Sequence, residues 1–205
     1  MVLGIPGEIH QDEFRVGASP FLVGQLVQRG HQVLVETGAG ERSLYSDADY
    51  QEAGAVIVPS PEKLYGQAEC ILKVRKPRPV EYDLIRPDHI LLAYFHPLTN
   101  IETTRALLAR GCSCFAYEQF TDQSGRRPLL ELEGQLTGQL AVQFGACLMP
   151  VSSGGRGTML GAFPGVTPPQ VVILGTTPTG VSAAISAARL GANVFLMADG
   201  DAACS

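Results

Sequence analysis

Short runs of apolar residues recur along this chain, and between them the apolar positions fall three or four residues apart. Short apolar runs suit strands buried on both faces, and the wider spacing suits helices with one apolar side. VLGI (2–5) predicts a strand. Ser19-Pro20 predicts a helix start, with Ser as N-cap and Pro at the first helical position; Leu22, Val23, Leu26 and Val27 form its apolar side, and Gly30 ends it. QVLVE (32–36) follows as a strand, and Asp47 is placed to cap a short helix ending near Gly54. AVIVP (55–59), CILKV (70–74) and ILLAYF (90–95) read as further strands. Asn100 opens a helix that runs to Arg110 and closes on Gly111, before a strand in CSCFAY (112–117). Near-continuous apolar strands between amphipathic helices predict a parallel sheet covered on both faces. The expected class is α/β, with a Rossmann-like first domain over residues 1–127.

The pattern then changes. A longer helix is expected over about 131–149, where Leu132, Leu136, Leu140, Phe144 and Leu148 make a stripe close to i+4 spacing. SSGGRG (152–157) reads as a flexible turn and PGVTPP (164–169) as a stiff linker. QVVILG (170–175), a helix over about 179–190 and NVFLMA (193–198) make one βαβ unit. Residues 128–205 are therefore expected to form a linker helix plus an incomplete dinucleotide-binding unit. Two parallel strands are few for a sheet buried on both faces, so something must cover them.

Composition narrows the partners. The hydrophobic share is 45%, the charged share 17% and the net charge −5, which fits a globular domain with a core. No Lys/Arg run is present, which argues against nucleic acid. No apolar run approaches the ~20 residues needed to span a membrane, and MVLGIPGEIH lacks a secretory pattern. The five cysteines (70, 112, 114, 147 and 204) are odd in number and lack a CxxC pair, which predicts reduced thiols in a cytoplasmic protein and no zinc site. Cys112 and Cys114 share one side of an expected strand.

Four stretches could carry chemistry. In GIPGEIHQDEFRVGASP, Arg15 on a loop could clamp a carboxylate bidentately, although alone it reads as well as a solvated charge. In CILKVRKPRP, Lys73, Arg75, Lys76 and Arg78 gather at a strand's carboxyl end, with Lys73 and Arg75 expected on one face. Open α/β sheets bind ligands there, so an anion site and a solvated charge cluster are both open. His96 follows a buried strand at the same end, where a histidine can serve as acid or base; alone, it also fits a structural role. His10, His31 and His89 are expected at the surface. In VVILGTTPTGVSAA, Gly175 and Gly180 outline a dinucleotide loop, but Thr177 stands at the middle glycine and Pro178 removes an N–H from the helix start. The acidic residue expected after the second strand falls at Ala198, with Asp199 one place later.

The order of these pieces is more specific than any one of them. GIPGEI, E-x-R-V and SP, then RGHQVLVETGAG, AGA, LKV-x-x-P, His96, AYE (116–118), PLL (128–130), GGRG (154–157) and PGV (164–166) together resemble the alanine dehydrogenase family. The transhydrogenase α subunit is a weaker match, because its members generally lack the histidine after this strand. The resemblance covers about nine-tenths of the chain but only the front half of a family member. It implies a substrate domain followed by an NAD domain, and the interconversion of L-alanine and pyruvate with NAD. It also implies that Arg15 binds the substrate carboxylate and that His96 is the catalytic acid/base. Position 75, a substrate-binding lysine in the family, is Arg75 here. Tyr94 matches a substrate-site position, and Glu118 a supporting one.

Further departures cluster on the cofactor side. The family's serine near the cofactor corresponds to Gly134, and Pro97 replaces an apolar residue after the histidine. The catalytic aspartate and the rest of the nicotinamide pocket are expected beyond residue 205. The resulting expectation is a small 2-oxo or amino acid binder with weak or lost NAD binding, at least dimeric or completed by a partner chain. The alternatives are a truncated dehydrogenase, or a pseudoenzyme serving as a regulatory or assembly subunit.

Overall fold

The computed structural model describes residues 1–198. Its contacts divide the chain into one unit over Met1–Gln119 and a second from Phe120 onward.

The first unit is built on a six-stranded parallel sheet: β1 (Val2–Ile5), β2 (Gln32–Glu36), β3 (Val56–Val58), β4 (Cys70–Arg75), β5 (Ile90–Tyr94) and β6 (Ser113–Ala116), in the order β3-β2-β1-β4-β5-β6. Alternation along β2 sends Val33 and Val35 to one face and Leu34 to the other. On the Leu34 face lie Leu64 and Tyr65 of α3 (Pro61–Gln67) and Leu107 of α4 (Ile101–Arg110). On the opposite face lie Val23 of α1 (Pro20–Gln28) and Tyr50 of α2 (Asp47–Glu52). The α/β sheet covered on both faces follows the expectation from sequence.

Several local readings need correction. Helix α2 is capped by Ser46, in a reciprocal capping box with Asp49, and Asp47 is its first helical residue. Helix α3 lies between β3 and β4, started by Ser60 and Pro61. Asn100 does not cap α4 with its side chain; its Nδ2 donates back to the carbonyls of Phe95 and His96 instead. His89 is fully buried rather than at the surface: its Nδ1 accepts from Arg86 N at 3.1 Å, and its Nε2 meets the Tyr65 carbonyl at 3.0 Å.

The second unit contains α5 (Pro128–Leu148), β7 (Gln170–Leu174), α6 (Pro178–Arg189) and β8 (Asn193–Met197), with β7 and β8 parallel. Its small core joins Val142, Ala183, Ala187 and Ala192 to half-buried Val171, Ile173 and Val194. The leucine stripe of α5 does not face this core. Leu132, Leu136, Leu140, Phe144 and Leu148 are all exposed, and the buried row is Gly134, Gly138 and Val142. A Cβ at Gly138 would sit 2.4 Å from the Thr179 carbonyl oxygen and 2.7 Å from Ala183 N, so the bare glycine lets α5 and α6 pack closely. Ser182 Oγ adds a 2.7 Å bond to the Gln135 carbonyl across this contact.

Candidate functional site

The loop after β1 crosses the carboxyl end of the sheet. Gly17 lies so close to β4 that a Cβ there would meet the Leu72 carbonyl oxygen at 2.2 Å. Further along, Arg42 donates to the carbonyls of His10 and Gln11 and stacks on Phe14, its guanidinium carbon 4.0 Å from the ring centroid. Held in this way, the loop presents Arg15 together with buried Glu13. Arg15 Nε and Nη2 each donate to one Glu13 carboxylate oxygen at 2.7 Å, and its backbone N–H donates to the same carboxylate at 3.0 Å. Burial pushes the Glu13 carboxyl up. The hydrogen bonds and charge of Arg15, with Arg75 further out, outweigh that and hold it below the ordinary carboxylate value. A small pocket of about 80 Å³ opens here, lined by Gly7, Glu8, Glu13, Arg15, Thr37 and Gly38, among others.

The basic cluster on β4 does not act as one patch. Lys73 is 1% exposed and ion-paired to Glu81 Oε1 at 2.9 Å and Glu8 Oε2 at 3.5 Å. Tyr65 Oη donates to the same Glu81 oxygen at 3.1 Å. The ladder shifts register between Leu72 and Arg75, interrupting the regular alternation on which the expectation of Lys73 and Arg75 on one face rested, and Lys73 is buried while Arg75 is exposed. Glu8 Oε1 accepts from Val74 N at 2.6 Å and Arg75 N at 3.2 Å, holding the strand end where the ladder fails. Lys76 Nζ donates to Asn100 Oδ1, and Arg78 Nη1 reaches the Ile9 carbonyl at 3.4 Å. Arg75 is the exposed member at the end of the strand itself.

Arg75 pairs in register with Tyr94 on β5. The Tyr94 ring stacks near His96, with centroids 6.3 Å apart and planes at 17°, and meets Tyr117 edge-on at 5.2 Å. Buried Glu118 accepts the His96 backbone N–H at 2.6 Å and that of Phe95 at 3.3 Å. Asn100 holds the His96 carbonyl from the other side. Between these clamps His96 takes a left-handed φ of 45°, and its side chain is exposed. Such a conformation costs about 1–3 kcal/mol and persists where the surroundings impose it. A chain of neighbours therefore runs Arg15, Glu13, Arg75, Tyr94, His96, all at carboxyl ends of β-strands or the loop crossing them. Glu13 and Glu8 had no role in the sequence reading. The only signal was a carboxylate two residues before an arginine that needs a partner.

The β7–α6 turn belongs to the second unit. Gly175 has φ of 101°, a region that favours glycine. A Cβ at Gly180 would lie 2.0 Å from the Gly175 carbonyl oxygen, so the first and last glycines of the loop are both required by the backbone. Thr177 is the N-cap of α6, and its hydroxyl accepts from Gly180 N at 3.4 Å. Pro178 supplies no N–H. The helix start thus lacks one anion-facing donor at Pro178, and a second, Gly180 N, is turned toward the Thr177 hydroxyl. Gly134 of α5 faces this turn: a Cβ there would lie 2.8 Å from Pro178 Cβ and 3.0 Å from Thr179 N. Asp199 and Cys204 lie outside the described residues. Among the described residues, no cluster of three His, Cys, Asp or Glu side chains is placed to hold a metal ion, and no helix is long and apolar enough to cross a membrane.

Comparison with known proteins reaches the same family as the motifs. The family model described as alanine dehydrogenase/PNT, N-terminal domain, matches residues 4–135, and the corresponding C-terminal domain matches residues 141–203. The alanine dehydrogenase of Mycolicibacterium smegmatis is 41% identical over 194 residues, covering 95% of this chain and 52% of that protein. That of Bacillus subtilis is 39% identical over 198 residues, covering 96% and 52%. Among solved structures, an L-alanine dehydrogenase superposes with a TM-score of 0.87 at 43% identity, covering 96% of this chain and 54% of that one. A transhydrogenase from Sinorhizobium meliloti gives 0.79 at 28% identity, covering 96% and 56%. The chain thus spans about half the length of the relatives it matches. With the six-stranded sheet and both matched domains in agreement, the chain belongs to the alanine dehydrogenase/PNT family.

Proposed function

We propose that this chain binds a small 2-oxo or amino acid of the pyruvate and L-alanine type, and that its hold on NAD is weak or lost. The observation that carries this reading is the chain of neighbours from Arg15 to His96. Arg15 and Arg75 supply positive charge for a substrate carboxylate. Tyr94 walls the site, and exposed His96 gives or takes the proton at the substrate oxygen or nitrogen. Glu118 acts through the backbone, holding His96 in the conformation that directs its ring. The small pocket beside Arg15 favours a small acid over a larger ligand.

On the cofactor side, Thr177, Pro178 and inward-directed Gly180 N support impaired dinucleotide binding. Oxidative deamination of L-alanine with NAD is therefore the family activity that this chain, by itself, performs poorly. A second reading rests on a separate observation, the exposed apolar row of α5 and the outer side chains Val172, Leu174, Phe195 and Met197 of β7 and β8. Apolar surface of this extent marks an association site. On this reading the protein works in the cytoplasm as at least a dimer, or with a completing partner chain, as a non-redox regulatory or assembly subunit.

A thermal-shift titration with pyruvate, L-alanine and NADH tests these readings. A ligand at a hundred times its Kd adds about 2.7 kcal/mol of stability. Stabilisation by pyruvate alone, abolished in Arg15→Ala, is the expected result. Stabilisation by NADH would return the chain to hydride chemistry. A response to none of the three would leave the assembly reading.

A further inference from the structure

Cys112 immediately precedes β6, the edge strand of the six-stranded sheet, and Cys114 is its second residue. Residues two apart on a strand share a face, and their Sγ atoms are 3.8 Å apart. Both border a groove of about 320 Å³ walled by Phe95, Pro97, Leu107 and Leu108. Cys114 is exposed and Cys112 half-buried, whereas Cys70 is buried in the core. Neither edge thiol takes part in the site proposed above.

We propose that Cys112 and Cys114 form a two-thiol chelate for thiophilic centres, with trivalent organoarsenicals as the ligand class. The geometry favours a bridging atom over a direct disulfide. Two residues of extended strand span about 6.4–6.8 Å, at the upper end of the roughly 4.4–6.8 Å between Cα atoms that a disulfide accepts. The sulfurs would also have to close to about 2.05 Å, which moves the backbone of a paired strand. A pyramidal trivalent arsenic bonded to both sulfurs at about 2.3 Å holds them roughly 3.4–3.5 Å apart, so a chelate needs a few tenths of an ångström of closure where a disulfide needs far more.

The reaction with an arsenoxide is a condensation. Two As–S bonds form, two S–H bonds and the As=O bond are lost, and the oxygen leaves as water with both thiol protons. Arsenic stays trivalent, so no oxidant or reductant is consumed. Desolvation, and then the neighbouring Cys112 thiol, push Cys114 up to about 12. Cys114 thus keeps its proton at neutral pH, which slows its oxidation through the thiolate.

The test is phenylarsine oxide at one equivalent on the purified chain, read by intact mass. The expected product is one adduct per chain that survives excess glutathione and is removed by 2,3-dimercaptopropanol. Iodoacetamide labelling and peptide mapping of the adduct should then find Cys112 and Cys114 protected. In Cys112→Ser or Cys114→Ser, glutathione should strip the arsenical. Failure to form the adduct, loss to glutathione in the parent chain, or protection of other cysteines would overturn the proposal, as would a glutathione-resistant adduct in either variant. The mapping on the parent chain stands whether or not the variants fold.

Discussion

The two units treat apolar residues in opposite ways. In the first, the large apolar side chains of the central strands are enclosed between helices on both faces, and even a lysine, three glutamates and a histidine are drawn into the interior. In the second, the buried row of the long helix is glycine and valine while its leucines and Phe144 face outward. The difference is one of coverage. Six strands with two pairs of helices close on themselves, whereas two strands with two helices leave one sheet face and one helix face open. Groups buried in the first unit should therefore be costly to remove, and the exposed apolar groups of the second should matter only when something covers them.

The largest effect is expected at Lys73. Lys73→Met would leave Glu8 and Glu81 buried without their cation and cost about 3–5 kcal/mol, seen as a lower urea midpoint. A loss below about 1 kcal/mol would mean that water enters this cluster and that the first unit is less closed than described. Next comes Gly138→Val, where the side chain would strike the α6 backbone. Overpacking of this kind costs about 1–3 kcal/mol, and hydrogen exchange in α5 and α6 should accelerate. Unchanged protection there would refute the close helix contact.

Acid should act through His89. Burial first, and then Arg86, lower its pKa, while the unfolded histidine takes up a proton near about 6.5. The unfolded state thus binds more protons as pH falls below that value, so stability is lost downward, by at most about 1.4 kcal/mol per pH unit. Urea melts from pH 7 to 5.5 measure the slope, and His89→Gln should flatten it. Glu13→Gln should weaken stabilisation by pyruvate by about 1 kcal/mol, or roughly fivefold in affinity, because the Arg15 fork loses its charged partner. Equal pyruvate affinity in this variant would remove Glu13 from the site. The smallest effect is expected for Leu136→Ala, within about 0.5 kcal/mol for a single chain. If that leucine lies in an interface, light scattering should instead show a lower mass.

Legibility in the sequence followed the same division. Strand positions were readable where apolar residues run without interruption, as in QVLVE and ILLAYF. Helix α3 was missed because it is short, although Ser60-Pro61 repeats the start signal of Ser19-Pro20. The burial of Lys73 was not readable, since its counterions come from residues 8 and 81 and only the folded sheet brings them together. For α5 the i+4 spacing correctly announced a helix. It could not say which of two parallel rows, leucine or glycine, would meet α6. In the candidate site, Arg15, Arg75, Tyr94 and His96 could be picked out as strand-end residues. Glu13, which holds Arg15, and Glu8, which holds the end of β4, stood inside the motifs without an assigned role, because only the fold brings Glu8 to residues 73–75.

The contact between Gly134 and Pro178 bears on the history open to this chain. A side chain restored at 134 would run into the proline ring, and that ring stands where the turn would need an N–H donor. Any side chain at 134 therefore has to come with a shift of the β7–α6 turn, so the two positions are coupled in sequence as they are in space.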